Sequence, residues 1–329
     1  MMRFFLLAAP AFAASVLTVV GDQVLPMNMV AIEASFSQDG QSLAVLGGDR
    51  KVSVWDLPSG KNLRSFESNP GQRSFLLASG SQFTTVATNG AVRIRDNGSG
   101  RVIASYEFPA GSVFNGAMAA TPDGGMLAAA LKDPAVPSSN LVHVMDRSGK
   151  PRFRVPAGVG GVSSMAFSPD GETLVAAAYD TDIRVWDVRT GSVQRVIEGL
   201  TVSMFGLAFS PDGKYLATAG ADRTIYLWDT RSWKIARKIT GQPETINKIR
   251  FSPDGTMLAT GGMNELNFAT PVKIILWDFA TGRQLHAWPA EHMVRGLSFS
   301  PDGKQVAVAD GTKSVKLFAV PNQRSASKR

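Results

Sequence analysis

The histidines are the first residues whose chemistry needs an account, because imidazole serves both as a general base and as a metal ligand. Only three occur, His143, His286 and His292, and no two of them have the close spacing of a metal-binding pair. The chain contains no Cys, which excludes disulfides, thiolate metal sites and cysteine nucleophiles. We therefore interpret the histidines as ordinary surface or structural residues and predict no metal site.

Other patterns that could support catalysis are equally sparse. The sequence lacks the Gly-x-Ser-x-Gly elbow, the P-loop and the Gly-rich dinucleotide fingerprint. Met27 and Met29 have the spacing of a soft-metal pair, but no His or Cys lies beside them, so packing is the favoured interpretation. We expect a protein that is not an enzyme and that needs no cofactor.

The overall charge is basic, at a formal value of +7 from 34 Lys and Arg against 27 Asp and Glu. A basic protein attracts nucleic acid or anionic lipid. However, no run of five or more Lys or Arg occurs, and no nucleic-acid motif accompanies the charge. We expect no nucleic-acid partner.

The N-terminus resembles a secretory signal peptide. A short basic start at Met1-Met2-Arg3 precedes an apolar stretch over 4–9, and Ala11 and Ala13 supply the small residues that a signal peptidase reads. We predict a signal peptide over 1–13, or to residue 14, and a periplasmic or secreted mature chain without a transmembrane segment. An uncleaved anchor, for which 4–20 is just long enough, and a cytoplasmic chain are the alternatives.

One sequence unit recurs along the rest of the chain. Glycines of a recurring turn stand at Gly40, Gly124, Gly171, Gly213, Gly255 and Gly303. Their spacings are 84, 47, 42, 42 and 48 residues, and 84 is twice 42, so a degenerate copy lies between the first two, at 83–100. The chain therefore contains seven units.

Each unit reads as four short strands. In Ser-Pro-Asp-Gly, Pro presets φ, Asp bonds the neighbouring backbone and Gly accepts positive φ, which reverses the chain between two apolar strands. A second turn after the third strand, such as Asp187 to Gly191, leads to a fourth strand. Four strands in about 42 residues make a propeller blade, which buries its faces only against neighbouring blades.

The third strand of four units ends in Trp-Asp: Trp55 and Asp56, Trp186 and Asp187, Trp228 and Asp229, Trp277 and Asp278. With the Ser-Pro-Asp-Gly turns, these pairs make the chain resemble the WD-repeat family, in a bacterial-type exported form. The resemblance implies an all-β fold: a single seven-bladed β-propeller over 15–320, with four antiparallel strands per blade and a disordered basic tail at 321–329. It also implies a non-enzymatic, protein-binding scaffold.

The sequence departs from the family pattern at several positions. Arg95, Met145 and Phe318 replace the Trp in the remaining units. The family's His before the first strand, which bonds an Asp in the turn ahead of the Trp, has His292 as its only counterpart. No unit carries the whole hydrogen-bonded set, so we expect packing to provide most of the rigidity.

The seventh unit ends without a fourth strand, since the sequence after 320 is polar. The family resemblance implies that the N-terminus supplies the missing strand, which removes an open sheet edge. Ser15 to Val20 is the expected donor. Cleavage after Ala13 or Ala14 would release this segment, whereas an anchor through Val20 would consume it.

The fourth strands carry much of the basic charge, at Lys61, Arg64, Arg101, Arg152, Arg154, Arg195, Arg237, Lys238 and Arg283. Charged outer strands discourage sheet-to-sheet aggregation, which is the favoured explanation. An acidic partner or an anionic membrane surface is the alternative.

Two insertions give the most specific indication of function. Both lie between the second and third strands, at 132–140 in unit 3 and at 263–271 in unit 6. In the family, these loops lie on the face that most often binds partners. We predict that a protein or peptide binds there through Lys132, Val136, Asn264, Leu266 and Phe268. Tolerated loop drift, and a propeller enzyme or small-ligand binder that uses the central channel, are the alternatives.

Overall fold

Short apolar stretches separated by Gly-containing turns form strands along the whole chain. The computed structural model describes residues 22–68, 74–79, 82–87, 91–96, 99–108, 112–133, 136–158, 160–198 and 200–321. These residues form 28 β-strands and no helix. The strands make seven four-stranded antiparallel sheets, which we number as blades 1 to 7. The all-β, seven-bladed propeller expected from the sequence is confirmed.

The strand bounds follow the repeat. The chain enters through β1 (Gln23–Pro26). Blades 1 to 3 consist of β2 (Ala31–Phe36), β3 (Ser42–Gly47), β4 (Lys51–Asp56), β5 (Lys61–Glu67); β6 (Ser74–Ser79), β7 (Gln82–Ala87), β8 (Ala91–Asp96), β9 (Val102–Glu107); and β10 (Val113–Ala120), β11 (Met126–Asp133), β12 (Val136–Asp146), β13 (Pro151–Pro156). Blade 2 is the degenerate unit, so its place in the repeat is confirmed.

Blades 4 to 7 are the more regular part. They consist of β14 (Val162–Phe167), β15 (Thr173–Ala178), β16 (Ile183–Asp187), β17 (Val193–Ile197); β18 (Met204–Phe209), β19 (Tyr215–Gly220), β20 (Ile225–Asp229), β21 (Lys234–Ile239); β22 (Thr245–Phe251), β23 (Met257–Met263), β24 (Val272–Asp278), β25 (Gln284–Ala290); and β26 (Gly296–Phe299), β27 (Gln305–Ala309), β28 (Ser314–Ala319). First strands of successive blades contact one another, and β2 contacts β26, which closes the ring around a central channel.

The N-terminal strand closes the last blade. Strand β1 pairs antiparallel with β28, with Gln23 opposite Leu317 and Pro26 opposite Ser314. Our expectation of a donor at 15–20 is wrong, and that segment lies outside the described residues. Leu25 is only 1% exposed and belongs to the apolar cluster that also contains Leu317, so burial of this side chain fixes the donor segment and its register.

The third-strand position that holds Trp in four units keeps the same pairing with the second strand in every blade. The second residue of the second strand pairs with it in each sheet: Leu43 with Trp55, Phe83 with Arg95, Leu127 with Met145, Leu174 with Trp186, Leu216 with Trp228, Leu258 with Trp277 and Val306 with Phe318. All four tryptophans are buried, and Trp186 is fully buried. The structural role predicted for them is consistent with this burial.

Each Asp of a Trp-Asp pair caps the turn that follows it. The carboxylates of Asp56, Asp187, Asp229 and Asp278 accept hydrogen bonds from the hydroxyl and backbone N–H of Ser59, Thr190, Ser232 and Thr281, respectively. For each of the four, the hydroxyl bond is the main cause that lowers the pKa of the carboxyl below its usual value.

The four third-strand indoles differ in whether their N–H has a partner. Trp228 Nε1 donates to Thr218 Oγ1 at 3.0 Å, and Trp277 Nε1 donates to Thr260 Oγ1 at 2.8 Å. Trp55 and Trp186 have no described partner for this donor. The reason is local, because the positions that correspond to Thr218 and Thr260 are occupied by Val45 and Ala176, two residues after the one that pairs with each Trp.

Other residues replace the family's His–Asp hydrogen bond. In blade 4 the Arg184 guanidinium donates to both carboxylate oxygens of Asp180. In blade 5 the Tyr226 hydroxyl donates to Asp222 at 2.6 Å, which is the main reason that the pKa of Tyr226 rises to about 12.

Blades 6 and 7 use yet other replacements. Gln242 precedes the first strand of blade 6 and accepts a hydrogen bond from the Thr260 hydroxyl. Because that hydroxyl also accepts one from Trp277 Nε1, the three side chains form a hydrogen-bonded chain. In blade 7, Lys316 Nζ lies 2.9 Å from the buried Asp310 carboxylate. Polar networks therefore add to packing in blades 4 to 7, more than we expected from the sequence.

Candidate functional site

The antiparallel order of each blade divides its connections between two faces of the propeller. Turns between first and second strands, and between third and fourth strands, lie on one face, which we call the lower face; it includes the Pro-Asp-Gly turns. Connections between second and third strands, and between successive blades, lie on the other, the upper face; it includes 264–271 and 291–295. Both insertions predicted to bind a partner therefore belong to the upper face.

The blade 6 insertion is a loop that its own side chains organise. The Asn264 Oδ1 atom accepts hydrogen bonds from the backbone N–H of Leu266 and Asn267, at 3.0 and 3.2 Å. Asn267 Oδ1 in turn accepts from the N–H of Ala269 at 3.0 Å. These are Asx turns, which give a short loop a defined backbone without regular secondary structure. Asn264 therefore shapes the loop.

Two further contacts attach this loop to the propeller. Thr245 Oγ1 at the start of β22 donates to Glu265 Oε1 at 2.9 Å. The Met293 N–H, in the connection to blade 7, donates to the Phe268 carbonyl at 3.0 Å. The loop is thus held at Glu265 and at Phe268 against the elements beside the channel, and Phe268 lies at the channel mouth.

Within this organised loop, two large apolar side chains face solvent. Leu266 is 98% exposed and Phe268 is 52% exposed. Single exposed apolar residues are common on protein surfaces. Here, however, both lie on one loop that hydrogen bonds hold in place, at the rim of a cavity. The loop therefore presents apolar surface that the propeller itself does not need.

The blade 3 insertion differs from the loop that we predicted. Strands β11 and β12 continue through most of it, with Lys132 opposite Asn140 and, after a register shift, Asp133 opposite Val136. It is therefore an extended β-hairpin, because residues we assigned to a loop keep strand pairing. Lys132 is exposed near its end. Val136 opens β12, and blades 3 and 6 stand on nearly opposite sides of the ring, so the five predicted residues do not form one cluster.

The central channel holds a cavity of about 560 Å³ lined mainly by first-strand residues. In blades 1, 4, 5 and 6 the first strand contains a β-bulge, where two residues oppose one of the second strand. The extra residues are Ile32, Ser163, Phe205 and Asn247, and all four line the cavity. The bulge therefore sets which side chains reach the channel.

Two of these bulge residues also connect neighbouring blades. Ser163 Oγ donates to the Met204 carbonyl of blade 5 at 2.5 Å, and Asn247 Nδ2 donates to the Val294 carbonyl beside blade 7 at 2.6 Å. Met204 and Val294 are themselves buried. The channel wall is consequently a rigid surface rather than a set of loose edges.

Charged groups on one side of the channel give it an uneven electrostatic character. Lys248 and Arg250 of β22 line the cavity together with Arg295, and the one carboxylate that the described part of the chain adds to this lining is Glu33 of β2. Lys248 Nζ lies 3.8 Å from Glu33 Oε2. Burial raises the pKa of Glu33, although Lys248 and Arg250 act in the opposite direction.

Apolar residues surround the upper mouth of the same cavity. Tyr179 is 52% exposed, and its ring centroid lies 6.2 Å from that of Phe205. Phe268 and Met293 continue this rim around blades 6 and 7. Sequence reasoning missed Tyr179, Phe205 and Met293, because only the bulges and the ring closure bring them beside Phe268.

The basic residues of the fourth strands do more than protect the outer sheet edges against aggregation. Arg237 donates to the carbonyls of Phe279 and Ala280 of the next blade and lies 5.4 Å from the Phe279 ring centroid. Exposed aliphatic residues accompany the charges on these strands, at Leu63, Val102, Ile103, Val193, Val196 and Ile235. At least one of the cations is therefore structural.

The described residues offer no candidate for a metal site or for a membrane-spanning helix. These residues contain no group of three or more His, Asp or Glu that could hold a metal ion. Within the same ranges no helix is long and apolar enough to cross a membrane.

Comparison with known families agrees with the geometry. The family model described as "WD domain, G-beta repeat" matches residues 149–187, 191–229, 233–265 and 282–318. The chain is a WD-repeat β-propeller. The matched segments lie within blades 3 to 7, where three of the four Trp-Asp pairs and the polar networks also lie. Among curated proteins, none matches the WD-repeat chain in sequence.

Proposed function

We propose that this WD-repeat propeller is a non-enzymatic scaffold that binds a protein or peptide partner on its upper face. The observation that carries the proposal is the blade 6 insertion, which holds Leu266 almost fully exposed on a loop organised by its own hydrogen bonds. Apolar and aromatic anchors at the centre of an interface commonly provide most of its binding energy. WD40 propellers are commonly protein-interaction scaffolds, which supports the same role.

The other predicted residues have different places in this proposal. Phe268 is the second anchor, beside the channel mouth, and Asn264 keeps the backbone of the loop in shape. Lys132 lies across the ring on the blade 3 hairpin, where it would contact only a partner that spans the upper face. Val136 belongs to the same hairpin.

Affinity capture with matched variants tests the proposal. The full chain is immobilised and exposed to extracts of the host compartment, with Leu266→Asp and Phe268→Ala as test variants. Val193→Asp is the control, because Val193 is 55% exposed but lies on the outer strand of blade 4. We expect a partner that the wild type and the control retain and both test variants lose. Equal retention by all four proteins would refute the upper-face assignment.

We also propose that the chain is exported to the periplasm or beyond. The signal-peptide pattern at 1–13 supports this proposal, although those residues lie outside the described ones. The closure of blade 7 does not discriminate between a cleaved signal peptide and an uncleaved anchor. The strand that closes the blade is β1 at 23–26, and an anchor ending at Val20 would leave that strand available. N-terminal sequencing of the expressed protein tests export: a mature start at Ala14 or Ser15 is expected, and an intact Met1 in the cytoplasm would contradict it.

A further inference from the structure

The channel wall has an uneven charge. Among the described residues, three cations line the cavity, Lys248, Arg250 and Arg295, and they come from blade 6 and the start of blade 7. The opposite wall, from blades 3 to 5, contributes uncharged side chains such as those of Ala117, Ser164 and Met165. The positive charge is therefore concentrated along one side of the cavity.

The three cations lie at successive depths. Lys248 and Arg250 are two residues apart on β22, so they share the channel side of the strand. Arg250 directly precedes Phe251, the last residue of its strand, on the side of the lower-face turn. Arg295 precedes β26 and lies nearer the upper face. The cations thus form a row from the upper mouth toward the lower face.

One carboxylate balances this row only in part. Glu33 lies 3.8 Å from Lys248, which is the one ion pair of the channel in the described residues. Arg250 donates to the carbonyl of Ile249 at 2.9 Å, and neither Arg250 nor Arg295 forms an ion pair with a described carboxylate. An anion that entered the channel would find two guanidinium groups without a competing carboxylate in contact.

The mouth above this row has the opposite character. Tyr179, Phe205, Phe268 and Met293 form an apolar rim on blades 4 to 7. A free inorganic anion would not use this rim, whereas a peptide offers apolar and charged groups on one chain. The cavity, at about 560 Å³, has the size of a site for a small ligand or a short segment of chain.

We propose that the channel receives an extended acidic segment of the protein partner, with carboxylates against Arg295, Lys248 and Arg250 and apolar side chains against the rim. This inference rests on the proposed upper-face function and identifies the chemistry of the partner. Glu33 has a distinct role in it: its carboxylate competes with the incoming one for Lys248 and so limits the affinity.

Peptide binding to the full chain tests the inference. The probe is a fluorescein-labelled pool of octapeptides with two Leu and two Glu at fixed positions, and the matched pool carries Gln in place of Glu. We expect the Glu pool to bind about tenfold more tightly by fluorescence anisotropy, with a difference that shrinks at high salt. Equal binding of the two pools would overturn the inference.

Channel variants locate the binding. Arg295→Gln and the double variant Glu33→Gln/Lys248→Gln, which leaves no unpaired carboxylate, should each weaken binding of the Glu pool about tenfold. Glu33→Gln alone should tighten it several-fold, a gain that loss of structure would not produce. Lys214→Gln and Lys304→Gln are the controls, since these exposed lysines lie on lower-face turns. Equal affinities for channel and control variants would overturn the channel assignment.

Three further outcomes separate the inference from neighbouring ones. Displacement of the Glu pool by millimolar phosphate, together with no loss when Leu is replaced by Ser in the peptides, would assign a free-anion site and overturn the peptide proposal. If partner capture depends on Leu266 but not on Arg295 and Lys248, the channel inference fails while the upper-face function stands. If it depends on none of the three, both fail.

Discussion

The two faces of the propeller differ in how far they follow the repeat. On the lower face, turns of one type join the first and second strands of six blades: 37–40, 121–124, 168–171, 210–213, 252–255 and 300–303. In each, a Ser or Thr hydroxyl donates to the Asp carboxylate, which also accepts a backbone N–H. On the upper face, blade 3 has a long hairpin and blade 6 has a loop with exposed apolar side chains. The lower-face turns therefore keep one pattern in six blades, whereas the connections of the upper face vary from blade to blade.

The largest expected contrast is between a core Trp and an upper-face Leu. Trp186→Ala removes a fully buried side chain and should lower the free energy of unfolding by about 3–5 kcal/mol. Leu266→Asp should change it by less than about 0.5 kcal/mol, because Leu266 is 98% exposed. Denaturant unfolding measures both. A comparable loss for Leu266→Asp would mean that the loop stabilises the fold.

A smaller effect is expected from the polar chain of blade 6. Thr260→Val would leave Trp277 Nε1 and Gln242 Oε1 buried without a partner, at a cost of about 1–3 kcal/mol. Thr218→Val removes the partner of one donor only, Trp228 Nε1, and should cost less. Thermal unfolding of the two variants ranks them, and equal losses would show that the contact to Gln242 adds nothing.

The lower-face turns should make stability depend on acid. The Ser168 hydroxyl and the Glu172 N–H lower the pKa of Asp170 in the folded state. The resulting stabilisation is present above the pKa of the unfolded chain and is lost as the pH falls through the lower, folded pKa. Asp170→Ala should cost about 1 kcal/mol at neutral pH and less in acid. A cost that does not change with pH would contradict this explanation.

The smallest effect is a gain. Val45→Thr places a hydroxyl where Thr218 and Thr260 have theirs and should give Trp55 Nε1 a partner, for about 0.5–1 kcal/mol of added stability. Val308→Thr is the matched control in blade 7, because the ring of Phe318 has no N–H that the hydroxyl could bond. There the buried hydroxyl should lower the free energy of unfolding. Destabilisation by both substitutions would show that the introduced hydroxyl at position 45 does not reach the indole N–H of Trp55.

Repetition is what made the fold predictable from the sequence. Turn glycines 42 residues apart set the blade count, and the 12 residues from Leu174 to Trp186 recur with the same pairing in other blades. The donor strand was less predictable because two short segments, 15–20 and 23–26, both contain apolar residues, and composition alone does not determine which of them pairs or in which register. Burial of Leu25 beside β28 determines it.

The candidate site was predictable only in part. Leu266 and Phe268 stand out because a solvated loop has no need of them, and the structure places both at the surface. The extra length between the second and third strands of unit 3 suggested a loop, yet the strands continue through most of it. The channel residues were not predictable, because bulges in separate first strands direct Phe205 and its counterparts toward a shared axis.

Site-specific crosslinking tests the central claim most directly, since the chain contains no Cys and a single introduced one can be labelled uniquely. Leu266→Cys, Val193→Cys and Lys214→Cys place a benzophenone on the upper face, the outer edge and the lower face, respectively. If the upper face binds the partner, illumination in a host extract should give a discrete adduct from position 266 alone. An adduct from position 193 or 214, with none from 266, would contradict the account.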